Sequence, residues 1–150
     1  MMEEHSYDVV VVGCGNAAMC AALAARENAS RVLVLERAPF GLHGGNTAFT
    51  AGALRFAYND EAEILELIPD LSPEMIRNTD FGNYPEQSFY EDLCRVTEYR
   101  TDPELADILV SRSFQTLKWL YGYGVRHLPI YGRRPVTASR WLRSLFPVPP

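Results

Sequence analysis

The sequence predicts an α/β fold: a strand-helix-strand (βαβ) unit at the start of the chain, followed by a mainly helical segment. Three observations predict it. An apolar run from Tyr7 to Val12 enters a glycine turn and then an alanine-rich stretch. A second apolar run, Val32 to Leu35, ends in Glu36. Beyond residue 58 the apolar residues recur at helical spacing.

The first strand, Val9 to Val12, leads into Gly13-Cys14-Gly15-Asn16-Ala17-Ala18, a Gly-x-Gly-x-x-Ala turn. Gly13 lets the chain leave the strand in a conformation closed to residues with a Cβ, and Gly15 lets phosphates approach the main chain. Ala18 is small enough for the following helix, rich in alanine from Ala17 to Ala25, to pack close to the strand. The start of that helix offers unpaired N–H groups and a partial positive charge to an anion. The second strand closes on Glu36, 23 positions after Gly13. That is near the spacing of about 20 at which an acid accepts hydrogen bonds from a nucleotide ribose. Together these parts form a Rossmann-like dinucleotide unit, and the carboxylate favours FAD or NAD over NADP.

Two parallel strands do not make an independent sheet. The remaining strands are expected from a longer parent chain, of which these 150 residues are a piece. The residues up to Asp107 hold all 19 acids and carry a net charge of −12, whereas those from Ile108 onward carry +7. The basic residues are scattered among Leu, Trp and Pro without a repeating face, which argues against nucleic acid as a partner. The acidic N-terminus and the short apolar run after it predict no signal peptide and no membrane segment, hence a soluble, cytoplasmic chain. Cys14, Cys20 and Cys94 form no Cys-x-x-Cys pair and suit a reducing compartment, with Cys14 and Cys20 read as packing residues. His5, His43 and His127 have no metal-ligand spacing.

After Glu36 the chain becomes glycine-rich and aperiodic through Thr47, which predicts a loop; Ala48 to Ala53 follows as a short small-residue segment with a helical leaning. Paired glycines so soon after the second strand are placed to meet the distal half of a cofactor.

At this point the strand-turn-helix, the Glu36-Arg37 pair and Gly44-Gly45-Asn46-Thr47 with Ala51-Gly52 resemble a known family. It is the FAD-dependent fumarate reductase and succinate dehydrogenase flavoproteins, and the similarity is strongest to the tricarballylate dehydrogenase type. The resemblance continues through residues 60–69, through residues 97–103, and to Trp119 and Gly124-Val125, covering roughly residues 7 to 132. It implies that Gly13, Gly15 and the amides of Asn16, Ala17 and Ala18 face the FAD pyrophosphate. Glu36 would bind the adenosine ribose, with Arg37 beside the adenine end. Gly44, Gly45, Asn46, Thr47, Ala51 and Gly52 would run along the pyrophosphate and isoalloxazine. Some relatives carry, at the place of Asn46, a histidine bonded covalently to the flavin; asparagine cannot form that bond, so FAD is expected to be held non-covalently.

The family reaction moves a hydride between a carbon–carbon bond beside a carboxylate and the flavin, so the resemblance implies a small di- or tricarboxylate substrate and an electron-transfer partner. The family's proton-handling arginine and its carboxylate clamps find no match here, so no catalytic residue and no metal ligand is assigned. A catalytically inactive nucleotide-binding fragment, or one subunit of a split flavoprotein, is the alternative reading.

The helical segment begins after the flavin loop. Ser72-Pro73-Glu74 and Thr101-Asp102-Pro103-Glu104 are helix starts, each with a capping side chain, an early proline and an acid near the positive end. From Leu105 to Tyr121 the apolar spacing is helical, and Gly122 or Gly124 should stop the helix. Tyr84, Phe89, Tyr90 and Trp119 read as core, and Arg95, Arg100 and Arg112 as solvated or paired. The expected organisation is residues 1–57 as the FAD-binding unit with its flavin loop, 58–132 as the helical segment, and 133–150 as a poorly ordered tail outside the family resemblance, with the reading frame truncated or altered near residue 132.

Overall fold

The computed structural model describes residues 5–28 and 31–130. The expected tail at 133–150 therefore lies outside the described residues. The chain divides into two compact units, the first ending at Leu54 and the second beginning at Arg55.

In the first unit, β1 (Val9–Val12) is followed by α1 (Asn16–Asn28) and β2 (Val32–Leu35). The strands pair in parallel with Val9 opposite Val32 and Val12 opposite Leu35, and they are the two strands of this sheet. Parallel pairing demands a crossover, and α1 supplies it while packing on both strands. The alternation along β1 turns Val9 and Val11 inward and leaves Val10 and Val12 50% and 81% exposed. Ahead of the sheet, Asp8 and Val9 donate their amides to the Arg31 carbonyl, and the Asp8 carboxylate accepts the Arg31 amide at 2.8 Å, which aligns the two strands at their entry.

After β2 the chain forms a 3-10 turn at Phe40–Leu42 and a second at Gly45–Phe49. The helical leaning read into Ala48 to Ala53 is thus realised three residues earlier. The left-handed backbone at Ala51 and Gly52 ends it, because residues at φ 53 and φ 68 cannot continue a right-handed turn.

The second unit holds α2 (Glu61–Leu67), α3 (Pro73–Asn78), α4 (Glu86–Val96) and α5 (Pro103–Gly122). Three of these helices start on a capping side chain. Asp60 caps α2 by accepting the Glu63 amide, Ser72 caps α3 on the Met75 amide, and Asp102 caps α5 on the amides of Glu104 and Leu105. Pro73 and Pro103 occupy first-turn positions whose missing N–H costs nothing. Helix α5 ends at Gly122. Gly124 at φ 90 then donates to the Tyr121 carbonyl while Val125 donates to Leu120, the paired bonds of a Schellman motif.

The core of this unit is apolar side chains from α2, α4, α5 and the segments that flank α2. Ala57, Phe89 and Val110 cluster with Tyr84 and Tyr90 against them, Leu67 is 1% exposed, and Ala106, Leu117 and Leu120 bury the inner face of α5 against α2 and α4. An antiparallel bridge between Tyr58 and Tyr84 ties the entry strand-like segment to the approach of α4. Tyr84, Phe89 and Tyr90 serve as core residues, as the sequence predicts, and Trp119 stacks edge-on with Tyr123 at 5.1 Å.

The division between the two units falls after Leu54. The reason is polar. Arg55 donates to the buried Asp92 carboxylate at 3.0 Å, and the Ala57 amide donates to the Ser113 hydroxyl at 2.9 Å, so both residues belong to the helical unit.

Candidate functional site

The site is built in the first unit, where the β1–α1 turn meets the loop after β2. The Gly13 amide donates to the Leu35 carbonyl at 2.6 Å, so the turn opens where strand pairing ends. Gly13 then takes φ 102, a backbone that a side chain resists, and a Cβ there would lie 4.0 Å from the Ala18 Cβ. The small Ala18 is what lets helix and strand come this close.

Gly15 faces the second glycine-rich loop. A Cβ on Gly15 would sit 3.4 Å from the Gly44 carbonyl oxygen and 3.5 Å from Thr47 Oγ1, filling the space between the turn and the second glycine-rich loop. Across that gap the Asn16 amide donates to Thr47 Oγ1 at 3.0 Å. The intrahelical ladder of α1 begins with Met19 donating to the Gly15 carbonyl, so the Ala17 and Ala18 amides precede it and have no acceptor within the helix. Gly44 reaches its place through φ 99, capping the 3-10 turn in which Asn46 and Thr47 lie.

Glu36 holds the other side of the turn. Its Oε2 accepts the Cys14 amide at 2.9 Å and its Oε1 accepts the Ala38 amide at 2.7 Å. The Ala38 amide, then the Cys14 thiol, hold the Glu36 carboxyl below its ordinary range. The neighbouring Glu36 carboxylate, with a smaller contribution from desolvation, pushes the Cys14 thiol up.

The structure therefore brings together Gly13, Gly15, Asn16, Ala18, Glu36, Gly44 and Thr47, with Ala17 at the exposed first turn of α1. Arg37, Gly45, Asn46, Ala51 and Gly52 are exposed on the loop after β2. Cys14 does more than pack, since its amide donates to the Glu36 carboxylate. The Asn16 amide donates to Thr47 Oγ1 across the joint. Ala38 went unnoticed in the sequence, because a main-chain donor two residues past an acid leaves no mark on composition or spacing.

What this arrangement can do chemically is accept a nucleotide phosphate. Helix-start amides, main chain kept bare of side chains by glycine, and a carboxylate with lone pairs beyond its two amide bonds are the donor and acceptor set for a phosphate beside a ribose. These residues fit the adenosine diphosphate half of a dinucleotide cofactor.

The second unit offers less. A cavity of about 160 Å³ lies among Ala57, Glu63, Glu86, Val110 and Phe114, below the roughly 300 Å³ at which ligand pockets begin. Arg95 is paired with Asp92 at 2.9 Å and Arg100 with Glu98 at 2.7 Å, the paired state predicted for them. Among the described residues no group of three or more His, Cys, Asp or Glu is placed to hold a metal, and no helix is long and apolar enough to cross a membrane.

Comparison with known proteins follows from this geometry. The sequence pattern of the FAD binding domain family matches residues 8–146, a span that runs into the segment for which the resemblance above found no counterpart. A fumarate reductase (cytochrome) of Shewanella frigidimarina is 29% identical over 117 residues, 78% of this chain and 18% of the relative. A 3-oxosteroid 1-dehydrogenase of Mycolicibacterium smegmatis is 29% identical over 140 residues, 92% of this chain and 23% of the relative. A urocanate reductase of Eggerthella lenta is 29% identical over 144 residues, 93% of this chain and 20% of the relative. The chain thus spans less than a quarter of the length of these relatives.

Proposed function

We propose, because this chain belongs to the FAD binding domain family, that it holds FAD non-covalently and forms the cofactor-placing part of a flavin-dependent reductase or dehydrogenase. The relatives are oxidoreductases, and FAD is the cofactor the family binds. The observation that carries the reading is the joint between turn and loop: Gly15 packed on Gly44 and Thr47, with the Asn16 amide on the Thr47 hydroxyl. A nucleotide-free βαβ unit has no need of a second glycine-rich loop pressed on its turn.

In this Rossmann-like unit Gly13, Gly15 and the amides of Ala17 and Ala18 receive the pyrophosphate, Glu36 accepts from the adenosine ribose, and Arg37 lies at the adenine end. Gly44, Gly45, Asn46, Thr47, Ala51 and Gly52 follow the cofactor toward its ring. FAD supplies the hydride chemistry, and the protein supplies placement and electrostatics. Asn46 has no nucleophilic ring nitrogen, which supports non-covalent retention.

The substrate class rests on the relatives' names. Fumarate and urocanate are both alkenes conjugated to a carboxylate. A small di- or tricarboxylate with the carbon–carbon bond beside a carboxyl, tricarballylate among them, is the substrate proposed for the whole protein, with a separate protein exchanging electrons with the flavin. We assign no catalytic residue within this chain.

The test is the absorbance of the purified chain. Flavin bands released by acid support the assignment, and a colourless protein that retains NAD overturns it. Succinate or tricarballylate added anaerobically should leave those bands unbleached with this chain alone. Bleaching would instead place the catalytic groups within it and overturn the cofactor-placing role.

A further inference from the structure

The amides of the phosphate turn are not all alike. Counting along it, Cys14 and Asn16 have their N–H groups taken by side chains from outside the turn, Glu36 at 2.9 Å and Thr47 at 3.0 Å, while Ala17 and Ala18 lie ahead of the helical ladder. The two side chains grip alternate residues, and both come from later in the sequence, 22 positions on in one case and 31 in the other. Glu36 also accepts the Ala38 amide at 2.7 Å, so one carboxylate joins the turn to the chain leaving β2. Thr47 is fixed in turn, since Thr50 donates both its amide and its hydroxyl to the Thr47 carbonyl.

From this geometry we infer that Glu36 and Thr47 are positioning residues for the phosphate turn: they set its amides before any cofactor arrives, in addition to touching the cofactor themselves. A Gly-x-Gly turn has more backbone freedom than any other short segment, and ordering it on binding costs affinity. Two side-chain acceptors that fix Cys14 and Asn16 remove part of that cost in advance. The Thr47 hydroxyl adds a second effect. An oxygen that accepts the Asn16 amide keeps its own proton to donate, so it passes the positive end of α1 outward to an anion as an O–H. The inference rests on the cofactor reading above, and it gives Glu36 a duty apart from ribose recognition and Thr47 a duty apart from the flavin ring.

Those duties separate with ligands that lack one half of the cofactor. ADP has no flavin, and 2′,3′-dideoxyadenosine 5′-diphosphate has no ribose hydroxyls for a carboxylate to accept. With the full chain, Thr47→Val should weaken ADP by about fivefold, the loss of one hydrogen bond, and Thr47→Ser should restore it. Glu36→Gln should weaken the dideoxy compound by about the factor of one hydrogen bond, and ADP by more, since ADP also loses its ribose contact. In the ligand-free chain, hydrogen exchange at the Asn16 amide should quicken in Thr47→Val, and at the Cys14 amide in Glu36→Gln, with the rest of α1 unchanged. Unaltered ADP affinity in Thr47→Val, or a Glu36→Gln effect seen with ADP and absent with the dideoxy compound, overturns the positioning role and leaves FAD binding intact. A wild-type chain that binds neither ADP nor FAD overturns the cofactor reading and this inference with it.

Discussion

Ser113 shows how much one side chain can decide. It is buried on α5, donates to the Val110 carbonyl at 2.8 Å, and accepts the Ala57 amide at 2.9 Å. Replacing it with alanine leaves the Ala57 N–H without an acceptor in the core. Ser113→Ala should therefore cost about 1–3 kcal/mol by urea denaturation, although it removes a single oxygen. Asp92 is the charged counterpart. Its side chain, 6% exposed, takes Arg55 and Tyr84 on one oxygen and Arg95 on the other, while both arginines remain half exposed. The Arg95 hydrogen bond leads in holding its carboxyl below the ordinary range, against desolvation. A carboxyl lowered in the fold takes up its proton later than in the unfolded chain. Its contribution is complete at neutral pH and lost as pH falls through the ordinary carboxylate range to the folded value. Asp92→Asn should cost about 3 kcal/mol at pH 7, and its stability should fall less steeply between pH 5 and pH 2, followed by circular dichroism at about those values. None of this was legible in the sequence. Asp92 reads there as one acid in an acidic helix, because nothing local says which of its neighbours will be folded onto it.

At the scale of elements the sequence says far more. The starts of α3 and α5 follow from Ser72-Pro73 and Asp102-Pro103, and the end of α5 from Gly122-Tyr123-Gly124, because caps act over one turn and leave their chemistry in adjacent residues. Asp102→Ala should lower stability by about 1 kcal/mol, with the loss in thermal unfolding accompanied by fraying of the first turn of α5 in hydrogen exchange. Both strands were legible from their apolar runs, and the glycine turn from its spacing. What escaped was the joint between elements. That Thr47 caps the Asn16 amide across 31 positions, and that Gly15 faces Gly44 before it faces any ligand, depends on how the loop after β2 folds back. That loop lacks the periodicity from which position can be inferred.

The whole molecule is two units with different sources of order. The helical unit has an apolar core of its own, from Ala57 and Leu67 to Leu120, knit by Ser113 and Asp92. The first unit has Ala22 as its buried α1 residue and relies on hydrogen bonds at the ends of its strands and turn. The sheet itself has consequences for handling. Among the described residues each of its two strands has one neighbour, so main-chain donors and acceptors line both margins, and Val10 and Val12 stand beside them in water. Such margins recruit strands from other molecules. Concentrated solutions of the isolated chain should scatter light increasingly with time, and Val12→Lys, which puts a charge on the more exposed position, should delay that onset without changing ADP affinity. Colloidal shelf life, rather than thermal stability, is then the property that limits work with this chain.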